Sequence, residues 1–185
     1  GPPELLLEAR AERSRRAVPE MEVIALEWLL LQNPRAEFSP RRPRLPGQRH
    51  PGLGLLRDII GWLIVVCERH GLDGIFFTTA HYHLAVQSRR LVMPLHAADE
   101  ARIEAFSEAL AGLSLAEATS AVAEGRVVDQ RTGEPAEWNP IPSVVPVSDR
   151  LKDLVSGPEY EKETDREASQ LDFRLQSVPS ALGPG

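Results

Sequence analysis

The hydrophobic pattern divides the chain into short apolar segments separated by proline-rich or charged ones. Residues 21–33 (MEVIALEWLLLQN) form a mostly apolar run, and residues 73–79 (DGIFFTT) form a shorter run rich in aromatic and β-branched residues. Both are typical of strands, although periodicity leaves a helix open for 21–33. Residues 53–70 between them are apolar nearly all round, which predicts a buried helix ending at Gly71. This order predicts a βαβ unit with parallel strands and a right-handed crossover.

The segments on either side of this unit carry weaker signals. Residues 4–16 contain strong helix formers and predict a helix, with a short strand over Leu5–Ala9 as the alternative. Residues 80–90 predict a helix, and residues 91–95 predict a short strand. Residues 99–111 have apolar positions at helical spacing, which predicts an amphipathic helix.

The C-terminal part continues with capping and turn signals. Ser114 and Glu117 stand at the offset of a capping box, which predicts a helix that ends at Gly125. A hairpin is predicted around Thr132 and Gly133, followed by an extended proline-rich segment over 139–148. From about residue 157 the chain is polar and charged, which indicates a loose helix or disorder.

Together these elements predict an α/β protein with a small mixed sheet, a central βαβ unit and a helical, proline-rich C-terminal extension. We expect an N-terminal helix or strand over residues 1–20 and a single α/β domain over 21–156. Within that domain, 21–95 would be the core and 96–156 a helical and hairpin extension. Residues 157–185 would be a polar, flexible tail.

Composition narrows the class of protein. The chain is 42% hydrophobic and 26% charged, as is ordinary for a globular protein, and its net charge of −6 argues against a protein dedicated to nucleic acid. The single Cys67 excludes an internal disulfide framework and a cysteine-rich zinc site. No run approaches the ~20 apolar residues of a membrane span, and no signal-peptide pattern opens the chain. We therefore expect a cytoplasmic protein.

One loop reverses the overall charge. Residues 34–52 contain five prolines and five arginines against the single acid Glu37, a local charge of +4. Such a loop would contact the phosphates of a nucleotide cofactor or of a nucleic acid, or it would simply be solvated. Nucleic acid is the less favoured partner, because Phe38 is the loop's one aromatic residue and base stacking needs several.

A glycine motif follows this loop at the start of the apolar helix. Arg49-His50-Pro51-Gly52-Leu53-Gly54-Leu55 would place small residues beside the unpaired first-turn N–H groups, an arrangement suited to a phosphate. The spacing does not fit the dinucleotide GxGxxG pattern or the P-loop. The alternative is a tight turn into the helix with no ligand.

The Arg-x-x-Gly-x-Gly pattern resembles the acyl-CoA loop of the GNAT N-acyltransferase family. That family places the loop after a central strand and before a long helix, with another strand and a short helix following, as residues 21–95 predict. The resemblance implies an acetyl-CoA or longer acyl-CoA co-substrate, whose pantetheine arm would lie along 21–33. The implied cofactor-binding residues are Arg49, His50, Gly52, Leu53, Gly54 and Leu55.

Acyl transfer from a thioester to an amine needs a general base and donors for the developing oxyanion. Glu27 on the central strand, or His81 and His83 after the next strand, would supply the base, and a backbone N–H of the central strand would supply a donor. The family often uses a tyrosine as general acid, and Tyr82 is the nearest candidate. The two histidines, at i and i+2, diverge and chelate one metal poorly, so we expect no metal; their alternative role is a polar helix cap.

These observations leave two function hypotheses. The first is an acyl-CoA-dependent N-acyltransferase, or a degenerate relative that binds acyl-CoA, with an amine as acceptor. The second is a non-catalytic interaction module that keeps the same core and binds a protein partner through its C-terminal half.

Overall fold

The computed structural model describes residues 4–176. Within this range the strands are β1 (Leu7–Ser14), β2 (Val23–Leu31), β3 (Gly74–Thr79), β4 (Met93–Pro94), β5 (Val127–Asp129), β6 (Ile141–Pro146) and β7 (Phe173–Leu175). The helices are α1 (Leu56–His70), α2 (Tyr82–Ser88), α3 (Ala97–Ala109), α4 (Leu115–Ala123), α5 (Asp149–Ser156) and α6 (Pro158–Ala168).

A five-stranded mixed sheet organises the protein, in the order β1-β2-β3-β6-β4. β2 and β3 are parallel, whereas the β1–β2, β3–β6 and β4–β6 pairs are antiparallel. The predicted strands at 21–33 and 73–79, the helix between them and their parallel pairing are therefore confirmed. β5 and β7 form a separate two-stranded sheet.

The two faces of this sheet are covered by different helices, because successive side chains of a strand point to opposite faces. Ile24 and Ile75 pack with Leu63 and Cys67 of α1 on one face. On the other face, Val23 and Val144 of the sheet pack with residues of α5, among them the fully buried Leu151.

Helix α1 is less buried than its composition predicts. Its start is at Leu56 rather than residue 53, and it ends as predicted at Gly71, which has the left-handed φ of 61°. Ile60, Leu63 and Cys67 face the core, but Trp62 is 66% exposed. A helix lying on one face of a sheet buries only one stripe.

Residues 4–16 form a strand where we expected a helix. β1 pairs along its whole length with β2, from Leu7 opposite Leu31 to Ser14 opposite Val23. Its main-chain hydrogen bonds to β2 outweigh the helix propensity of Glu, Ala and Arg, a preference of only a few tenths of a kcal/mol per residue. The alternative reading, a strand at Leu5–Ala9, had the right type but too short a range.

Asp73 joins the amino-terminal ends of β2 and β3 to α5. Its buried carboxylate accepts a hydrogen bond from the Glu22 backbone N–H at 2.8 Å and two from the Arg150 guanidinium at 2.7 Å each. Its backbone carbonyl accepts from the N–H groups of Val147 and Ser148. These bonds hold together the end of the sheet at which the parallel strands are paired.

The C-terminal half is more regular than its proline content indicates. Residues 141–146 of the extended segment form β6 in the main sheet. The predicted hairpin is reduced to an isolated bridge between Val128 and Pro135, flanked by hydrogen bonds from the Asp129 N–H to the Glu134 carbonyl and from the Ala136 N–H to the Val127 carbonyl. β5 pairs instead with β7.

Part of the expected flexible tail is ordered and packed. Residues 158–168 form α6, Thr164 is buried, and the Tyr160 hydroxyl donates to the Pro94 carbonyl at 2.9 Å. Residues 177–185, the rest of that expected tail, lie outside the described residues.

A second core forms under α2, α3 and α4. Phe106 is fully buried there and contacts Tyr82, Trp138 and Phe173 through tilted or edge-to-face ring pairs. The predicted capping box at Ser114 and Glu117 begins α4 with both of its hydrogen bonds made. Among residues 4–176, no helix combines the length and the apolar character needed to cross a membrane.

Candidate functional site

The two parallel strands pair over only part of their length. Val23, Ile24 and Ala25 of β2 lie opposite Gly74, Ile75 and Phe76 of β3, and the pairing ends there. From Leu26 to Leu31 the residues of β2, except Glu27, pair with β1, and none pairs with β3. The β2 edge that faces β3 is therefore free of strand partners toward its carboxyl end, as far as residues 4–176 are concerned.

The glycine motif lies at this same end of β2. Pro51 is buried, and its carbonyl accepts a hydrogen bond from the Asn33 N–H at 2.7 Å. A Cβ at Gly52 would lie 3.5 Å from the Leu31 carbonyl oxygen. These contacts place the motif directly beside the carboxyl end of β2.

Helix α1 begins from this motif with its first turn open. Leu55 is the N-cap and, within the described residues, no side chain caps the helix. Gly54 is exposed, has a φ of +79° and has no atom within 4 Å of where its Cβ would be. The N–H groups of a helix's first turn have no intrahelical partner, so this end presents a partial positive charge.

The charged side chains nearest to this turn have mixed effects. Arg57 and Asp58 both lie in the first turn, so an anion would meet one attractive and one repulsive charge. Arg42 donates to the Gly52 carbonyl and holds the loop against the motif. Arg49 is exposed, whereas His50 and Leu53 are half-buried.

The basic loop also reaches β3, because Gly47 packs onto His81. A Cβ at Gly47 would lie only 2.6 Å from His81 Nε2, and the φ of Gly47 is +80°. His81 follows β3 as the N-cap residue of α2. The loop therefore connects the carboxyl ends of both parallel strands. Apart from the Pro-Gly turn itself, no sequence signal indicates the contact between Gly47 and His81.

The two predicted histidines differ in their surroundings. Their rings stack with centroids 5.5 Å apart. His83 is buried, and its Nδ1 has no hydrogen-bond partner among the described residues. Burial, with a smaller contribution from the charge of His81, lowers the pKa of His83 to about 4. His83 is therefore neutral at pH 7, while His81 is the half-exposed member of the pair.

Tyr82 lies between these histidines in sequence but belongs to the second core. It is 5% exposed, and its ring meets the Trp138 ring edge-on with centroids 5.5 Å apart. Its ring forms part of a cleft wall, which is described next.

A cleft of about 490 Å³ opens next to His81. The turn before α2, the end of α4 and the segment 135–138 form its walls, with Pro46 of the basic loop at one side. Trp138 lines it, and its indole Nε1 is buried without an acceptor among residues 4–176. From the sequence, Trp138 could either pack a loop onto the core or face a partner, and no sequence signal connects it to His81. A shallower depression of about 440 Å³ lies along the loop from Arg44 to Arg49.

Glu27 lies apart from this cluster. It is the extra residue of a β-bulge, because Arg10 pairs with Trp28 and Ala11 with Leu26. Its carboxylate is 3.2 Å from Arg10 Nε, and its side chain is 47% exposed. The structure thus brings together the loop, the glycine motif and His81, and places Glu27 in an ion pair with β1.

Within residues 4–176, no group of three or more His, Cys, Asp or Glu side chains is arranged to hold a metal ion. No family model, curated protein or solved structure matches the chain.

Proposed function

We propose that this chain binds an acyl-CoA thioester between the carboxyl halves of β2 and β3 and transfers the acyl group to an amine. A degenerate relative that only binds acyl-CoA is the weaker form of the same proposal. The order of strand, glycine loop, helix, parallel strand and short helix over residues 21–95 agrees with the GNAT resemblance and supports it.

The main support for the proposal is that the pairing of β2 with β3 ends early, at Ala25 and Phe76. An extended ligand with amide groups adds to a free strand edge through main-chain hydrogen bonds. The pantetheine arm of CoA is such a ligand, and the edge over Leu26–Leu31 is long enough for it. The pyrophosphate would then meet the open first turn of α1 at Gly54, and the arginines of the loop would meet the 3′-phosphate.

The chemistry requires few groups. The amine attacks the thioester carbonyl carbon, a C–N bond forms, and the C–S bond breaks with the thiolate as leaving group. A base removes the ammonium proton, and a backbone N–H of β2 would donate to the oxyanion. Of the predicted bases, His81 lies beside both the loop and the cleft, so we assign it this role; Glu27 remains the alternative.

Calorimetric titration with acetyl-CoA and a longer acyl-CoA tests donor binding. A ligand at 100 times its Kd stabilises the folded state by ~2.7 kcal/mol, which raises the Tm of a protein of this size by roughly 5–10 °C. Gly54→Val should abolish binding. Gly112→Val is a matched control, since Gly112 also has a left-handed φ (88°) and open space around it. Binding by neither acyl-CoA would refute the proposal.

The catalytic assignment needs a separate measurement. With donor binding established, His81→Gln should reduce acyl transfer to a panel of amines with little change in Kd for acyl-CoA, and Glu27→Gln should leave transfer unchanged. The reverse result would transfer the role of base to Glu27. Donor binding with no transfer to any amine would leave the degenerate form of the proposal.

The second candidate, a non-catalytic interaction module, is favoured by exposed apolar side chains. Trp62 and Val65 of α1 are 66% and 41% exposed. Within residues 4–176, Leu154 is the one large apolar residue that is exposed in the C-terminal half. The exposed large apolar residues of the N-terminal half are Leu5, Leu6, Leu7, Trp28, Leu55, Leu56, Trp62, Val65 and Leu91. A partner surface on β1 and α1 therefore has more support than the C-terminal surface expected from the sequence.

A further inference from the structure

The outer edge of β1 is open. β1 ends the five-stranded sheet, and among residues 4–176 no strand pairs with its outer side. Leu7 to Arg13 are all exposed, although Leu7, Ala9 and Ala11 are apolar. An exposed strand edge with apolar residues is a template for pairing with another strand.

The backbone groups that point outward can be identified from one hydrogen bond. The Gln32 N–H donates to the Leu6 carbonyl at 3.0 Å, so residues 6 and 32 form a hydrogen-bonded pair of the antiparallel ladder. Hydrogen-bonded and non-hydrogen-bonded pairs alternate along such a ladder. Residues 6, 8 and 10 therefore bond to β2, while the N–H and C=O groups of residues 7, 9 and 11 point away from it.

We propose that β1 pairs with β1 of a second copy of this chain, in an antiparallel register in which Ala9 lies opposite Ala9. A two-fold axis perpendicular to the sheet would pass through this pair and join the two sheets into one. The outward backbone N–H and C=O groups of residue 9 would hydrogen-bond to those of residue 9 of the second copy. In the same way, residue 7 of each copy would pair with residue 11 of the other. The inference does not depend on acyl-CoA binding.

Charge complementarity favours this register over one centred on Arg10. With Ala9 at the centre, Glu8 lies opposite Arg10 of the second copy, and the symmetry makes this pair twice. A register centred on Arg10 would place Arg10 against Arg10 and Glu8 against Glu12, like charges that destabilise a strand pair. A register centred on Ala11 would also pair Arg10 with Glu12, but it would place Arg13 opposite Ala9, within the paired strands. In the proposed register Arg13 lies opposite Leu5, which precedes β1.

The face that carries Leu7, Ala9 and Ala11 would have an apolar centre in the joined sheet, with Arg13 of each copy at its ends. Paired residues share a face, so Leu7 lies beside Leu31 and Ala11 beside Leu26 within one copy. Between the copies, Leu7 would lie opposite Ala11. Each cross-strand row would then contain Leu31 and Leu7 of one copy followed by Ala11 and Leu26 of the other. Leu7, 48% exposed in the single chain, would gain an apolar neighbour. Edge strands that resist pairing instead carry Lys, Pro or inward-pointing charges.

Sedimentation equilibrium over a range of concentrations tests the proposal. The unmodified chain should show twice the mass of one copy at high concentration. Ala9→Pro removes an outward N–H without touching a bond to β2 and should give a monomer. Arg10→Glu replaces both ion pairs by like charges and should weaken dimerisation about tenfold.

The double variant Glu8→Arg, Arg10→Glu is the decisive control. It loses the Arg10–Glu27 ion pair just as Arg10→Glu does, and it also loses the exposed hydrogen bond from the Trp28 indole to Glu8. It restores both ion pairs between copies, so it should recover dimerisation. Far-UV circular dichroism checks that each variant is folded. A monomeric unmodified chain at every concentration, or a double variant as weak as Arg10→Glu, would overturn the proposal.

Cross-linking fixes the register independently of the charges. Opposed residues of a hydrogen-bonded pair have Cα atoms about 5.5 Å apart, within the range of a disulfide. Ala9→Cys should therefore form a covalent dimer on oxidation, and Ala11→Cys should not. The background is low because Cys67, the chain's single cysteine, is buried. A dimer formed by Ala11→Cys and not by Ala9→Cys would refute the register.

Discussion

Replacing Asp73 tests how the paired end of the parallel strands is held. Its carboxylate bonds the Glu22 N–H at the start of β2 and the Arg150 guanidinium of α5. Asp73→Ala removes all three hydrogen bonds at once. Asp73→Asn keeps the shape and an acceptor for the Glu22 N–H but loses the charge, so it separates the ion pair from the backbone bond.

The magnitude follows from the burial of the two partners. Asp73 is buried, and a hydrogen bond from a half-buried N–H such as that of Glu22 to a carboxylate contributes about 1.5–3 kcal/mol. The Arg150 side chain is 59% exposed, so its ion pair contributes about 0–1 kcal/mol. Asp73→Ala should therefore lower the free energy of unfolding by about 2–4 kcal/mol, and Asp73→Asn by about 1 kcal/mol.

Chemical and thermal denaturation measure these losses. At 2–4 °C per kcal/mol for a chain of this length, Asp73→Ala should lower the Tm by roughly 4–16 °C and Asp73→Asn by roughly 2–4 °C. Equal losses for the two variants would show that the charge, and not the Glu22 bond, dominates. A Tm unchanged by Asp73→Ala would refute the stabilising role altogether.

The same site predicts a pH dependence. Hydrogen bonds from Arg150 hold the pKa of Asp73 well below its usual range, and they outweigh the burial that would raise it. A carboxyl with a lowered pKa in the folded state binds protons more readily when unfolded, so its stabilisation is complete above the unfolded pKa of about 4. This stabilisation is lost as the pH falls from there toward the folded pKa. The stability difference between the unmodified chain and Asp73→Asn should shrink over that range, and a constant difference would contradict the assignment.

Three further variants test single contacts. Gly47→Ala should lose about 1–2 kcal/mol from its left-handed φ and more from the clash with His81, whereas Gly112→Ala, with no neighbour within 4 Å, should show the φ cost alone in a denaturation experiment. Equal losses would show that the loop yields to the contact. Ser114→Ala should cost about 1 kcal/mol through the lost helix cap, measured by urea unfolding. Burial raises the pKa of the Cys67 thiol to about 11, so its alkylation at pH 8 should require unfolding; rapid alkylation of the folded protein would contradict its placement in the core.

Local signals predicted most of the elements of the core. The apolar run of β2, the aromatic run of β3 and the helix stop at Gly71 each depend on neighbouring residues, and so does the capping box at Ser114. The exclusion of regular structure from residues 34–52 rests equally on local chemistry, because proline has no N–H to donate. Parallel pairing of β2 with β3 followed from the helix between them.

Long-range contacts decided the structure of two segments for which the hydrophobic pattern was ambiguous or led to a wrong prediction. Residues 7–14 became a strand only through pairing with β2, because a ladder of main-chain hydrogen bonds outweighs a weak helix preference. Residues 158–168 became a packed helix because Thr164 is buried and the half-buried Tyr160 donates a hydrogen bond to the Pro94 carbonyl.

Some features of the candidate site likewise follow from the local sequence, and others follow from long-range contacts. The sequence by itself determined that a basic loop and two glycines precede an apolar helix, since charge and chain flexibility are properties of the residues themselves. Only the tertiary structure decided that the β2–β3 pairing ends at Ala25, that Gly47 meets His81 and that Glu27 faces Arg10. These facts depend on strand twist, register and a bulge, which arise from packing between residues far apart in the chain.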